Sequence, residues 1–382
     1  MKSLTANCYL SLMSFGICFT TIGPALKEIQ GEIVLTSSQL GLFTTVLSIG
    51  LIISVLTAGV FIDRFRIKSV MLAGQFSVTL GLITFAFIDS FPVGLFAFFM
   101  IGLGGGLIEI VVNTLISEIY AKKRTSALNL LHGFFGVGAL LGPILMGYLI
   151  EGGFGWRLGY GTVALFSATV LIFQILTSYP KKVSSDHIDF DYFFKILKNP
   201  YTILLGAIMI LYVGSEMGIN YWSVLYMELG LGITKITASS FLSLFWIAMT
   251  MGRFVCFVVA KKIGGKKLLI SLSFISVFAF AVFMSADSQV TAGGSIFLLG
   301  LAFSGIFPTI MALGIDRFPK ALGTITGLLM TFMGGGALLF PWFIGMIADI
   351  FTLKVGMLSI LLFIIMLTFS TGMLGLKRIR QP

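Results

Sequence analysis

Two carboxylates stand in strings that are otherwise apolar: Glu109 in GLGGGLIEIVVN and Glu216 in LYVGSEMGINYWSVLYM. Residues four apart share one face of a helix. Asn113 therefore lies one turn beyond Glu109, and Tyr212, Glu216 and Asn220 form a single polar stripe. A carboxylate surrounded by hydrocarbon persists only if it is protonated, paired or turned to a water-filled cavity, and such groups mark ion and proton pathways. Glu109 and Glu216 are thus candidate ion-coupling residues. His132 is a third, because an imidazole changes charge near neutral pH; a histidine satisfied by a neighbouring carbonyl is the alternative. Trp222, Ser223 and Tyr226 extend the stripe into a mixed aromatic and polar surface. A sugar-sized ligand needs such a surface, with ring faces for stacking beside hydrogen-bonding groups. Asn113, Asn129, Tyr212, Glu216, Asn220, Trp222 and Tyr226 are the candidate substrate-binding residues. The competing structural readings are a protonated Glu109 acting as interhelical glue and a helix whose aromatics contact lipid. Arg253, alone in an apolar run, is a candidate gate residue that pairs with a carboxylate or a helix carbonyl. No P-loop, catalytic triad or metal-binding cluster is present in the sequence, so neither cofactor, metal nor enzymatic activity is expected.

Such side chains must be held by elements suited to an apolar solvent. The 382 residues are 57% hydrophobic and 10% charged, with mean hydropathy +1.06, whereas a soluble domain is about a quarter charged. That composition excludes a water-facing enzyme or a nucleic-acid binder, despite the net charge of +10. Cys8, Cys18 and Cys256 lie inside apolar segments without metal-ligand spacing and read as packing residues. Segments long enough to cross a bilayer, roughly 20 residues, cover residues 6–26, 39–62, 69–89, 92–117, 126–150 and 156–178. A second set covers 200–227, 236–260, 268–286, 291–315, 322–348 and 354–376. The first segment reads as a retained span, since no small-residue cleavage site precedes the polar stretch 27–38. The expected architecture is an all-α membrane protein of twelve transmembrane helices. Its one long hydrophilic interruption, 179–198, is a cytoplasmic linker between six-helix bundles at 1–178 and 199–382.

Charge sets the orientation. Twenty Lys and Arg residues fall on the side of the termini and the linker, against Lys27, Arg157, Lys235 and Lys354 on the other. The positive-inside rule then places both termini in the cytoplasm. A multi-pass, monomeric protein of the cell inner or plasma membrane is expected, in contact with the lipid bilayer and not with nucleic acid.

A shift of 198 positions superposes the sequence on itself: LLHGFFGVGALLGPILMG at 130–147 meets LLMTFMGGGALLFPWFIG at 328–345, with ten of eighteen positions identical. The same shift matches Glu151 with Asp349, Gly102 with Gly300 and Glu118 with Asp316. Six helices are duplicated in one orientation, as in transporters whose two halves rock about a central site. Features present in both copies read as scaffold. Glu109, His132 and Glu216 fall on Phe307, Met330 and Cys18, so each needs a local reason.

Gly59-Val60-Phe61-Ile62-Asp63-Arg64 has the Gly-x-x-x-Asp-Arg frame of the major facilitator cytoplasmic loop, with Arg66 and Ile67 replacing the usual glycine and first basic residue. Asp63 and Arg64 read as a gating charge latch. Twelve helices, the six-plus-six repeat and this loop resemble the major facilitator superfamily over the whole chain. GLGGGLIEIVVN at 102–113, LNLLHGFFGVGA at 128–139 and LYVGSEMGINYW at 211–222 resemble its fucose and glucose/galactose permease branch. The resemblance implies alternating access with H+- or Na+-coupled sugar uptake, and a coupling or substrate role for Glu109. Thr20 and Phe135 depart from that branch, which carries an acid and an asparagine at those places. Gly138-x-x-x-Gly142-Pro143-x-x-x-Gly147 partly resembles the helix-5 signature of proton-driven drug exporters, which makes an efflux antiporter the second reading. Its counterpart around Gly336 and Pro341 marks it first as a scaffold kink. A transporter-like nutrient sensor is the third reading.

Overall fold

Apolar segments of this length leave no water to satisfy backbone polar groups, so the chain must close its hydrogen bonds within helices. The computed structural model describes residues 2–64, 66–120, 124–180, 195–318 and 322–376, without the side chains of 58–64, 124–126, 129, 322–323 and 375–376. The described residues are all-α. In chain order the helices are α1 Lys2–Thr20, α2 Ile22–Ile33, α3 Ser37–Arg64, α4 Ile67–Ala86, α5 Phe91–Ile119, α6 Arg124–Glu151 and α7 Gly155–Leu176. They continue as α8 Pro200–Leu231, α9 Lys235–Ile263, α10 Gly265–Met284, α11 Gln289–Phe303, α12 Ile306–Arg317, α13 Leu322–Ile350 and α14 Leu353–Leu376. With α11 and α12 taken as one span and the bent α1–α2 pair as another, these make twelve membrane crossings.

Two crossings are broken where the sequence reads as continuous. α1 and α2 meet at 45°, and α2 carries the helix to Ile33, through much of the stretch expected as a loop. Pro24 has no N–H to return to the Thr20 carbonyl. Around it, Thr20 Oγ1 donates to the carbonyls of Gly16 (3.1 Å) and Ile17 (3.3 Å), and Thr21 Oγ1 to that of Cys18 (2.9 Å). These threonines satisfy carbonyls that the break would leave open. The α11–α12 break has the same cause: Pro308 cannot bond the Ser304 carbonyl, and Ser304 Oγ turns back to Leu301 O at 2.6 Å. Elsewhere the ends follow ordinary capping. Asn199 accepts from the Tyr201 amide at 2.9 Å before α8, and Gly232, at φ 65°, ends it.

The described residues divide into two compact units, one holding α1–α7 with Thr234–Ser243, the other α8, the rest of α9 and α10–α14. The first unit is centred on rings. Phe85 meets Phe98 at 4.7 Å and Tyr160 at 4.6 Å, both edge-on. A buried amide chain crosses it from α7 to α4 and α1. Gln174 Nε2 donates to Ser11 Oγ (2.9 Å) and Gln75 Oε1 (3.1 Å), and Gln75 Nε2 donates to Ser167 Oγ (2.8 Å). The start of α9 is held in this unit by two acids. Lys235 Nζ donates to Glu28 Oε2 (3.0 Å) and Pro24 O (2.9 Å), and Glu151 Oε2 accepts from the Ile236 amide at 2.6 Å. A carboxylate at a helix N-terminus is favoured by the helix dipole. In the second unit, Ser273 and Thr371 hydroxyls pair at 2.9 Å and Phe245 packs edge-on to Phe303.

The internal repeat is visible in how helices cross. A Cβ on Gly102 would strike the Leu47 carbonyl, and one on Gly300 the Phe245 carbonyl. Both partners are related by the same 198-residue shift. Close approach of backbones at small residues is the main packing device available to helices in lipid.

Candidate functional site

In the first unit, Glu109 and Asn113 project from the C-terminal half of α5, and His132 from α6. Asn113 Nδ2 donates to the Glu109 carbonyl at 2.8 Å, as expected for residues one turn apart. Its Oδ1 is then the acceptor for His132 Nε2 at 3.1 Å, which assigns a proton to that ring nitrogen. The asparagine therefore joins α5 to α6. All three side chains are half-buried, and the Glu109 carboxylate has no hydrogen bond or ion pair among the described residues. Tyr9 stacks on Phe134 at 4.7 Å and 9°, while Phe15, Phe19 and Phe135 cluster at 5.9–6.2 Å. Asn129, Asp63 and Arg64 have side chains outside the described residues.

In the second unit, the stripe on α8 is intact and inside the protein. Tyr212 is buried, meets Phe303 edge-on at 5.4 Å and lies one turn before Glu216, also buried. One turn further, Asn220 Oδ1 accepts from Trp246 Nε1 on α9 at 3.1 Å. Arg253, exposed on α9, acts electrostatically on both Glu216 and Tyr212. No carboxylate among the described residues lies within 4.0 Å of it, and Met249 Sδ lies at 4.0 Å.

Trp222 and Tyr226 lie apart from this stripe. Trp222 is fully buried and donates its indole N–H to the carbonyl of Pro341 at 3.0 Å. Pro341 lies inside the continuous helix α13, so the tryptophan has a packing task beside that proline. Tyr226, fourteen residues beyond Tyr212, is about 21 Å along the helix from it. It lines a cavity of about 530 Å³ with Asp287 and Lys354 at the connections after α8, α10 and α13.

Sequence reasoning missed Trp246, which fixes Asn220, and the Gln75–Gln174 chain. The glutamines were findable: the repeat shift places Gln75 on Ser273 and Gln174 on Gly372, so each is an unmatched intramembrane amide.

Known proteins give this arrangement its context. The chain is 23% identical to a TsgA homolog of Buchnera aphidicola subsp. Baizongia pistaciae, over 83% of this chain and 81% of that protein. It is 24% identical to bypass of stop codon protein 6 of Saccharomyces cerevisiae, over 68% and 59%. Among solved structures, the nucleoside transporter NupG shares the fold at TM-score 0.83 and 15% identity, covering 98% of this chain and 99% of that one. A D-xylose–proton symporter shares it at TM-score 0.79 and 15% identity, covering 97% and 96%. The sequence pattern of the Major Facilitator Superfamily matches residues 8–341. The chain, a multi-pass integral membrane protein with up to twelve crossings among the described residues, belongs to that superfamily of transporters.

Proposed function

We propose that the protein is a secondary active transporter that moves a small polar solute of the sugar class by alternating access, in symport with H+ or, as the alternative ion, Na+. The observation that carries this reading is Glu109, a half-buried carboxylate in a membrane span, without a side-chain partner among the described residues and beside the Asn113–His132 pair. A carboxyl group so placed can load and release a cation without first breaking a salt bridge. Tyr212, Glu216 and Asn220 supply directional donors and acceptors for hydroxyl groups. The fold likeness to a nucleoside transporter and a D-xylose–proton symporter supports the class of cargo. The branch resemblance to fucose and glucose/galactose permeases belongs to this proposal, as do a monomeric state, cytoplasmic termini and a latch role for Asp63 and Arg64. Efflux antiport rests on the Gly-Pro pattern of α6. Its repeat copy in α13 serves packing, with the Pro341 carbonyl bound by Trp222, which supports the scaffold reading of both.

Proteoliposomes test the proposal with labelled D-galactose, L-fucose and D-galacturonate. The wild type is expected to accumulate one of them uphill when an inward H+ or Na+ gradient is imposed. Glu109→Gln is expected to abolish accumulation while counterflow exchange, which needs no net coupling, survives. Undiminished uphill accumulation by this variant overturns the coupling role.

A further inference from the structure

Arg253 is the one Lys or Arg that belongs to neither charge set flanking the membrane. It sits ten residues before the end of α9 at Ile263, about 15 Å inside the helix at 1.5 Å per residue. A guanidinium stays charged in a protein, and a charge at that depth is costly unless it is paired or meets water. Arg253 is exposed, and its recorded contact is a thioether at 4.0 Å, too long and too weak to satisfy a cation.

Its register places it at the polar stripe. The Trp246–Asn220 hydrogen bond aligns α9 with α8. Seven residues later, two turns along the same face, Arg253 comes level with Tyr212 and Glu216, because the two helices run in opposite directions through a short connection. Its electrostatic effect on both groups agrees with that level. No carboxylate among the described residues, Glu216 included, lies within 4.0 Å of it. An exposed guanidinium thus stands at the level of a buried tyrosine, carboxyl group, asparagine and tryptophan. The fork matches a carboxylate in two parallel hydrogen bonds, and the surrounding groups match hydroxyls.

We propose that Arg253 is the anion-receiving group of the substrate site, and that the transported solute is a hydroxylated monocarboxylate of the uronic or aldonic acid class. This rests on the reading of the protein as a polar-solute transporter and narrows its cargo. The purified full chain in nanodiscs tests it by binding and thermal shift with matched pairs, D-galactose against D-galacturonate and D-glucitol against D-gluconate. The acid of at least one pair is expected to bind the wild type about tenfold or more tightly than its neutral partner. Arg253→Gln should lose roughly 10- to 100-fold of that affinity, the range for a hydrogen-bonded charge. Arg253→Lys should fall between them, because it keeps the charge without the fork. Melting points without ligand verify that both variants fold; if the glutamine variant does not, the lysine variant carries the test, and acid affinity equal to wild type overturns the proposal.

Neutral sugars binding as tightly as their acids would overturn the anion assignment and leave polar-solute transport standing. Acids that bind Arg253→Gln as well as wild type would remove Arg253 from the site. A preference for galactose 1-phosphate over both galactose and galacturonate would replace the carboxylate class. Absence of binding by every member of both pairs would overturn the anion assignment and the sugar-class cargo together.

Discussion

Asn113 uses its amide in both directions, giving a proton to the Glu109 carbonyl and accepting one from His132. The imidazole's Nε2 thus donates to a neutral amide oxygen, a positioning contact that stands beside the relay role open to a titratable ring. This geometry favours a positioning role for His132, and the two roles separate by substitution. Glutamine can still donate to Asn113 Oδ1 but cannot titrate. His132→Gln is therefore expected to retain uphill accumulation in proteoliposomes. His132→Leu should lower stability by about 1–3 kcal/mol, the cost of leaving a part-buried acceptor unmade, read as a lower melting temperature. Loss of accumulation with intact counterflow in the glutamine variant would restore the relay. At this scale the sequence shows which residues are out of place in lipid and not where their polar atoms point. Four-residue spacing places Tyr212, Glu216 and Asn220 together, and they do share a face. Nothing in spacing tells that the Trp222 indole is bound to the Pro341 carbonyl or that Trp246 holds Asn220, because those partners lie 119 and 26 residues away in the chain.

At the scale of helices, apolar run length marks the crossings, but proline alone does not mark the breaks, since Pro143 and Pro341 lie inside unbroken helices. The bend at Thr21, which the apolar run 6–26 hides, falls where the side chains of Thr20 and Thr21 and the missing donor of Pro24 uncouple one turn. What a run of apolar residues hides is the continuation of α2 to Ile33, since a polar helix end and a polar loop read alike. Helix crossings can be tested through glycines related by the repeat. A methyl group on Gly102 or Gly300 meets a carbonyl of the neighbouring helix, so the backbones must part. Gly102→Ala and Gly300→Ala are each expected to cost about 1–3 kcal/mol by overpacking, seen as an earlier loss of the monodisperse peak after heating. Gly161→Ala on α7 is the control, because no atom lies within 4 Å of the position its Cβ would take. There the gain in helix propensity, up to about 1 kcal/mol, should leave the melting temperature unchanged or raise it. Equal behaviour of all three would mean that the glycine crossings do not hold these helices.

For the whole molecule, the repeat duplicates scaffold and leaves chemistry unpaired. Gly102–Leu47 and Gly300–Phe245 are copies of one crossing, whereas Glu109, His132, Glu216 and Arg253 fall on Phe307, Met330, Cys18 and Val55, none of which carries an acid, an imidazole or a cation. Specificity should follow from these singular groups. An exporter of lipophilic cations needs an apolar pocket with an acid to receive the charge. The second unit instead sets an exposed guanidinium level with Glu216, beside a tyrosine, an asparagine and a tryptophan. A fixed positive charge repels a cationic dye, and buried hydrogen-bonding groups reject ligands that leave them unpaired. Cells overproducing the protein are accordingly expected to accumulate a labelled hexose or hexuronate and to show no gain in resistance to ethidium. The measurement pairs uptake with growth inhibition in the same cells. Resistance that appears with the wild type and disappears with Glu216→Gln, while no sugar or sugar acid shifts the melting temperature, would make the acid a cation receptor. Efflux would then be the direction of transport, because the same carboxyl group would be receiving the drug in place of a coupled ion.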